Sequence, residues 1–196
     1  MTLLLLLACD MQVVVTEAPL IPEDRGRHYP ELVGIWGDEN RNPWVSIAAE
    51  DGEMTVRGQE DGRWREPQPL AIRKIKGTLY TQMRMDNIDL GPNYRPPGGV
   101  TWWPMRLEHA SDLLTVEVLN PTWFYAHKGQ DLGLDVFFPG EVVAVALDGE
   151  TTYKGPNVLL RGDTRDLKRW IRKHHDEEDL FVKFGALQRL SPQPAP

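Results

Sequence analysis

The sequence predicts a mainly β fold: an antiparallel meander that forms a barrel or a sandwich and carries one C-terminal amphipathic helix. Three observations lead to this fold class. Gly and Pro supply 17 and 16 of the 196 residues, which is typical of a chain with many turns and argues against a helical bundle. Short runs of alternating apolar and polar residues recur at close spacing. One helical stripe of apolar side chains comes late in the chain.

The strand candidates are segments in which apolar side chains fall on one side of an extended backbone. Within 102–108, for example, Trp103, Met105 and Leu107 alternate with polar residues. An Asp-Gly pair between 43–49 and 53–57 tolerates the positive φ of a tight hairpin turn. Sequential hairpins favour an up-and-down order. The predicted strands are 32–36, 43–49, 53–57, 70–75, 78–85, 102–108, 113–119, 123–127, 141–147 and 151–154.

The predicted helix covers residues 164–175, and Asp163 or Thr164 can cap its N terminus. Its apolar positions are spaced i, i+3, i+4 and i+7, which places them on one face that is expected to dock on the sheet. These positions are Leu167, Trp170, Ile171 and His174.

A zinc site that uses His174 and Glu178 is one interpretation of the end of this helix, because imidazole and carboxylate both suit zinc. The alternative is a core histidine beside a solvated helix end, whose cationic side chains complement the helix dipole. The sequence favours this second interpretation, and no metal ligand is assigned.

Charge and cysteine content exclude several function classes. The 22 Lys and Arg residues are outnumbered by 29 Asp and Glu residues, which gives a net charge of −7. Binding to nucleic acid through phosphate contacts is therefore not expected. The single cysteine excludes an intrachain disulfide and any Cys-rich zinc or iron–sulfur site. The sequence predicts no cofactor.

The N terminus carries the most specific motif. Residues 3–7 are all leucine and are followed by Ala8 and Cys9, a run too short to span a bilayer, which takes ~20 residues. The motif resembles the lipobox of bacterial lipoproteins, in which the cysteine becomes the first mature residue and carries the lipid. The resemblance implies a protein of the bacterial cell envelope, anchored through acyl chains on Cys9. Asp10 slightly favours the inner membrane. A buried N-terminal strand with an incidental cysteine is the alternative.

These features divide the chain into five segments. Residues 1–8 are a lipoprotein-type signal, truncated if the recorded start lies downstream of the true initiator. Residues 9–30 are a tether, 31–155 the β-domain, and 156–190 the C-terminal helix with the segment that packs on it. Residues 191–196, with three prolines, are a disordered tail.

Gly34-Ile35-Trp36 opens the first strand of the meander. This tripeptide resembles the Gly-x-Trp motif of the lipocalins, or calycins, in which the Trp fills the base of an eight-stranded barrel. In that family the glycine lets chain segments pack closely around the ring. The resemblance implies a lipocalin-like barrel over residues 32–175. A β-sandwich or an open barrel remains the alternative.

The aromatic and methionine residues indicate a ligand site. Seven Trp residues are many for a chain of this length, and the adjacent aromatics at 102–103 and 123–125 place rings on both faces of a strand. An outward ring near the 87–100 loop could stack on a sugar or lead into an apolar cavity. Packing in the core is the alternative for these residues. The candidate lining residues are Trp36, Met83, Trp102, Trp103, Met105 and Trp123.

The sequence therefore predicts a membrane-anchored envelope lipoprotein that acts as a non-catalytic binding module for an apolar or carbohydrate ligand or a partner protein. One alternative is a glycan-acting envelope enzyme, which needs two carboxylates about 5–9 Å apart across a cleft. Another is a structural or assembly lipoprotein without a small ligand. No catalytic residue is assigned. The carboxylates available for a pair are Asp86, Asp89, Glu117, Asp131 and Asp135.

Overall fold

The computed structural model describes residues 12–86, 88, 90, 94–147 and 150–195. Most of its strands belong to one large, mainly antiparallel sheet, so the prediction of a mainly β fold is confirmed. The strands are β1 (Val14–Thr16), β2 (Gly34–Gly37), β3 (Pro43–Glu50), β4 (Glu53–Glu60), β5 (Arg63–Trp64), β6 (Gln68–Pro69), β7 (Arg73–Ile75), β8 (Thr78–Asp86), β9 (Val100–Ala110), β10 (Leu113–Leu119), β11 (Asp135–Phe137), β12 (Val143–Leu147), β13 (Glu150–Lys154), β14 (Val158–Arg161) and β15 (Phe181–Ser191). The helices in these ranges are α1 (Pro121–Ala126) and α2 (Thr164–His174), with 3₁₀ turns at Glu23–Arg25, Pro30–Leu32 and Pro97–Gly99.

The centre of the sheet is a run of antiparallel neighbours in the order β7-β8-β9-β10-β15-β2-β3-β4. Both β5 and β6 pair with β4. A branch leaves β9 at Trp102 and continues through β1, β14 and β11, where β1 and β14 run parallel. The hairpin β12–β13 forms a separate two-stranded sheet.

The main sheet curls but stays open, so the predicted closed barrel is wrong. The two ends of the run approach each other at segment 68–75, where β6 pairs with β4 and β7 pairs with β8. In the part of the chain that the structure describes, no ladder joins β6 to β7 or β4 to β8. Pro67 and Pro69 have no N–H to donate, and the Leu70 N–H is used by the Met54 carbonyl at 2.8 Å. All the described strands except β12 and β13 belong to this one open sheet, so the predicted sandwich is wrong as well.

Residues 123–127, predicted as a strand, belong largely to helix α1. The Asn120 side chain caps this helix by accepting the Thr122 N–H at 3.1 Å. Pro121 occupies the first turn, where its fixed φ suits a helix. All three consecutive aromatic residues, 123–125, are buried. Their pattern therefore fits a strand that is buried on both faces as well as it fits a helix.

The C-terminal segment contains a long strand that the sequence analysis did not predict. β15 lies between β10 and β2 and pairs with both. Its ladder with β10 shifts register between Val116 and Glu117, so Phe184 is the extra residue of a bulge. The bulge breaks the period-2 pattern by which strands are predicted.

The described parts of the predicted tether and tail pack against the sheet. β1 falls inside 9–30, and the Gln82 side chain bonds the N–H and C=O of Ile21 at 3.0 and 2.7 Å. At the other terminus, the Ala195 N–H donates to the Ser46 hydroxyl at 2.8 Å. Part of the predicted tether and part of the predicted tail therefore contact the sheet. Cys9 and Asp10 lie outside the described residues.

Trp36 is buried in a cluster with Leu32 and Met54 where β9 and β15 end, and we call this end of the curled sheet its closed end. Its side chain is fully buried, its Nε1–H donates to the Leu32 carbonyl at 2.9 Å, and the Arg189 guanidinium lies 4.7 Å from its ring centroid. Gly34 has a φ of 143°, and a Cβ there would lie 2.4 Å from the Ser191 carbonyl oxygen. Glycine is therefore required at this position for β2 to approach the C-terminal end of β15.

Helix α2 has the predicted cap and the predicted stripe. The Asp163 carboxylate accepts the backbone N–H groups of Arg165 and Asp166 at 2.7 and 2.9 Å. All four stripe residues are buried and pack with Tyr80 and Phe181 on the convex face of the sheet. His174 Nδ1 lies 2.5 Å from Glu177 Oε1. Within the described residues, no group of His, Cys and acidic side chains is arranged to hold a metal ion.

Tyr80 provides a test of the packing between helix and sheet. Its ring is fully buried, its hydroxyl has no hydrogen-bond partner, and burial raises its pKa to about 12. We expect Tyr80→Phe to be neutral or to raise the free energy of unfolding by about 1 kcal/mol, because an unpaired buried hydroxyl is lost. The unfolded tyrosine ionises near pH 10 and the folded one near 12, so the wild type should lose stability as the pH rises through this window.

Urea denaturation at pH 7 and at pH 11 measures both effects of Tyr80→Phe. The variant should lose less stability than the wild type between the two pH values. Some loss should remain, since burial also raises the pKa of Tyr125 to about 12. A variant clearly less stable than the wild type at pH 7 would contradict this account of the buried hydroxyl.

Candidate functional site

The concave side of the curled sheet encloses a cavity of ≈ 1000 Å³. Strands β3, β4, β8, β9, β10 and β15 all contribute side chains to its lining. Sites for small molecules commonly measure about 300–1,000 Å³, so this volume lies at the upper end of that range. The cavity is large enough to enclose most of a ligand of lipid or drug size.

The interior is apolar because alternate residues of each strand share one face. On β10, Leu114, Val116 and Val118 line the cavity, whereas Glu117 between them bonds Arg106 on the convex face. Met105 and Leu107 on β9 follow the same alternation. Further apolar lining residues are Val45, Ile47, Val56 and Leu187.

The β15 bulge shapes one wall of the cavity. Phe184 and Gly185 both line it, and the Phe184 ring packs edge-on against Trp103 with 5.2 Å between ring centroids. Gly185 lies opposite Val116 in the ladder. A Cβ added at Gly185 would meet no atom within 4 Å. The absence of a side chain at 185 thus leaves open space that a larger residue would fill.

The polar groups of the lining are either already bonded or near solvent. The buried Thr81 hydroxyl donates to the Ala71 carbonyl at 3.0 Å. Among the described lining residues no charged side chain is buried: Asp38 is half-buried and the others are exposed. We call the charged residues the rim; they are Glu23, Asp38, Arg84, Asp86 and Lys183.

Three of the charged rim residues have polar contacts of their own. Hydrogen bonds from the side chain and backbone of Asn42, at 3.0 and 2.9 Å, hold the pKa of Asp38 below its usual range. Arg84 Nε lies 3.1 Å from Asp86 Oδ1. Asp38 is therefore ionised at neutral pH, and Arg84 is partly neutralised by its neighbour.

The structure places three of the predicted ligand-lining residues, Met83, Trp102 and Met105, in the cavity lining. It places Trp36 at the closed end of the sheet. Trp103 lies in an adjoining buried cluster with Val13, Val15 and Leu159, and touches the cavity wall through Phe184. Trp123 belongs to α1, where its ring stacks on His127 at 4.1 Å between centroids.

The sequence analysis missed Trp44, Phe184 and Gly185, which all line the cavity. Trp44 is half-buried at the start of β3, and alternation with Val45 and Ile47 would place it on the opposite face, so the pattern gave no signal for it. Phe184 and Gly185 carried no signal either, because the bulge changes the face that each residue occupies.

The carboxylates available for a catalytic pair do not converge on the cavity. Of the four that the structure describes, Asp86 alone lines it, and Glu117 is bound to Arg106 on the convex face. Asp135 Oδ2 lies 3.6 Å from Arg161 Nη1, and Asp131 accepts the Gly133 N–H at 2.9 Å. Asp89 falls outside the described residues.

Comparison of the chain with protein-family models, with curated proteins and with solved structures gives no match. No helix within 12–86, 88, 90, 94–147 and 150–195 is long and apolar enough to cross a membrane. The feature that bears on the function of this chain is therefore the cavity with its lining.

Proposed function

We propose that this chain is a non-catalytic binding module whose cavity holds an apolar ligand. The observation that supports the proposal most is the ≈ 1000 Å³ cavity, whose lining consists mainly of aliphatic, aromatic and methionine side chains. Removing apolar surface from water contributes about 25 cal/mol per Å², so a ligand that fills this space gains affinity from burial alone. A carbohydrate fits less well, because its hydroxyls would leave water without new hydrogen-bond partners.

The arrangement is consistent with a lipocalin-like cup. Trp36 lies at the closed end of the curled sheet, Gly34 allows the close approach beside it, and Arg189 covers the ring. The sheet differs from a lipocalin barrel in the open seam at segment 68–75. The proposal is therefore a calyx made by a curled sheet, with a mouth next to the rim.

A neutral, apolar fluorophore such as N-phenyl-1-naphthylamine tests the ligand proposal, because its emission rises and shifts to shorter wavelength in apolar surroundings. We expect saturable one-to-one binding, with little dependence on salt, since the fluorophore is neutral and none of the charged residues in the described lining is buried. The same protein in concentrated urea is the control and should give no saturable signal. A signal that only rises linearly with fluorophore would contradict the proposal.

We further propose that the module is anchored at the bacterial cell envelope through lipid on Cys9. Support for this comes from the resemblance of Leu6-Leu7-Ala8-Cys9 to a lipobox, and Asp10 favours the inner membrane. Expression in a bacterial host with the native upstream codons, followed by the mass of the mature N-terminal peptide, tests it, with Cys9→Ser as control. An acylated peptide that begins at Cys9 is expected. An unmodified Cys9 preceded by residues 1–8 would exclude the anchor.

A further inference from the structure

We propose that the ligand is an amphiphile, with an alkyl or acyl chain in the cavity and a head group at the rim that carries no net negative charge. This inference rests on the proposed function, because it concerns the same cavity. It adds the chemical class of the ligand and the sign of charge that its head group can carry.

The requirement for an amphiphile follows from how the lining is divided. Its buried part is apolar apart from Thr81 and Gln82, whose side chains are already bonded to backbone groups of Ala71 and Ile21. Its charged part is near solvent, in the five rim residues. A wholly apolar ligand that reached the rim would desolvate charges without replacing their water, which is unfavourable. A ligand with one polar end satisfies both parts.

The sign of the head group follows from the composition of the rim. Three carboxylates, on Glu23, Asp38 and Asp86, outnumber the cations of Arg84 and Lys183. Arg84 lies 3.1 Å from Asp86, so these two charges offset each other and leave the carboxylates of Glu23 and Asp38 against the single ammonium group of Lys183. The potential at the opening is therefore negative.

The net charge of the whole chain, −7, has the same sign. An anionic head group would approach against this field, whereas a neutral or cationic head group would not.

The test is competition for bound N-phenyl-1-naphthylamine by three amphiphiles that share a nonyl chain, each below its micelle concentration: decanoate, 1-nonanol and nonyltrimethylammonium. The chains are equal in length, so differences in displacement report on the head group. At low salt we expect decanoate to compete about 3- to 10-fold more weakly than the other two. This difference in competition strength, which we call the gap, should narrow at high salt, because exposed charges are screened.

Matched charge reversals locate the effect. Glu23→Lys with Asp86→Lys changes the rim and should remove or invert the disadvantage of decanoate. Glu53→Lys with Glu178→Lys changes total charge equally at exposed residues outside the lining and should leave the gap as it is in the wild type. Fluorophore binding shows that each variant is folded.

Three outcomes would overturn the inference: decanoate competing as well as the other amphiphiles, decanoate competing better, or both charge variants shifting the gap alike. These outcomes differ from a failure of the proposed function, in which the neutral fluorophore itself does not bind to the wild type. Fluorophore binding without any dependence on head group would leave the cavity proposal intact and remove this one.

Discussion

Gly185→Leu is expected to block the cavity while the sheet stays folded. The glycine lies inside β15 opposite Val116, and a Cβ there would project into space with no atom within 4 Å. A leucine side chain would therefore occupy volume that the ligand needs. We expect the affinity for N-phenyl-1-naphthylamine to fall by tenfold or more, which corresponds to about 1.4 kcal/mol. Stability should be unchanged or higher by about 0.5–1 kcal/mol, because glycine weakens a strand.

Two variants on the same strand control for this result. Gly185→Ala adds only the Cβ and should weaken binding much less than leucine does. Gln188→Leu adds a leucine at an exposed position outside the lining and should leave binding unchanged. Fluorescence titration and thermal melting followed by circular dichroism measure both quantities. Wild-type binding by a folded Gly185→Leu protein would mean that ligands do not use this cavity.

Trp36→Ala should lower the free energy of unfolding by about 3–5 kcal/mol, a larger loss of stability than Tyr80→Phe or either Gly185 variant would cause. The ring is fully buried, and its Nε1–H is bonded to the Leu32 carbonyl at 2.9 Å. Truncation would leave a void at the closed end of the sheet and expose the Arg189 guanidinium, which lies over the ring, to a changed environment. Urea denaturation monitored by circular dichroism gives the free energy of unfolding.

Trp64→Ala is the matched control for Trp36→Ala. Trp64 is half-buried in the short strand β5, so its truncation should cost clearly less stability. If Trp36→Ala lay within about 1 kcal/mol of the wild type, Trp36 would not be closing the sheet, and the resemblance to the lipocalin base would lose its physical meaning.

The elements that the sequence predicted well are those set by local periodicity. The hairpin β3–β4 follows from alternation on both sides of Asp51-Gly52, and α2 follows from a cap and an i, i+3, i+4 stripe. Most of α1 is predicted as a strand from the sequence, because three consecutive buried aromatic residues fit the period of a strand and that of a helix equally well. The parallel pairing of β1 with β14 joins residues about 144 positions apart, which no local pattern encodes.

The candidate site was partly predictable for the same reason. Met83 and Met105 lie on apolar alternate positions of β8 and β9, and both face the cavity. Phe184 and Gly185 depend on a bulge that arises only when β15 pairs with β10. Whether the sheet closes depends on segment 68–75, whose ends pair with strands at opposite ends of the run. These features are properties of long-range pairing, and local sequence does not specify them.

The most direct test of the cavity proposal is methyl NMR of protein labelled with ¹³C at its methionine methyl groups. Met83 and Met105 line the cavity, whereas Met54 and Met85 are buried outside its lining. Titration with N-phenyl-1-naphthylamine is predicted to shift the Met83 and Met105 methyl resonances in proportion to occupancy, with contacts from the ring protons to both methyls. Met54 and Met85 should change less. Saturable binding that leaves Met83 and Met105 unperturbed would contradict the proposal that the ligand occupies this cavity.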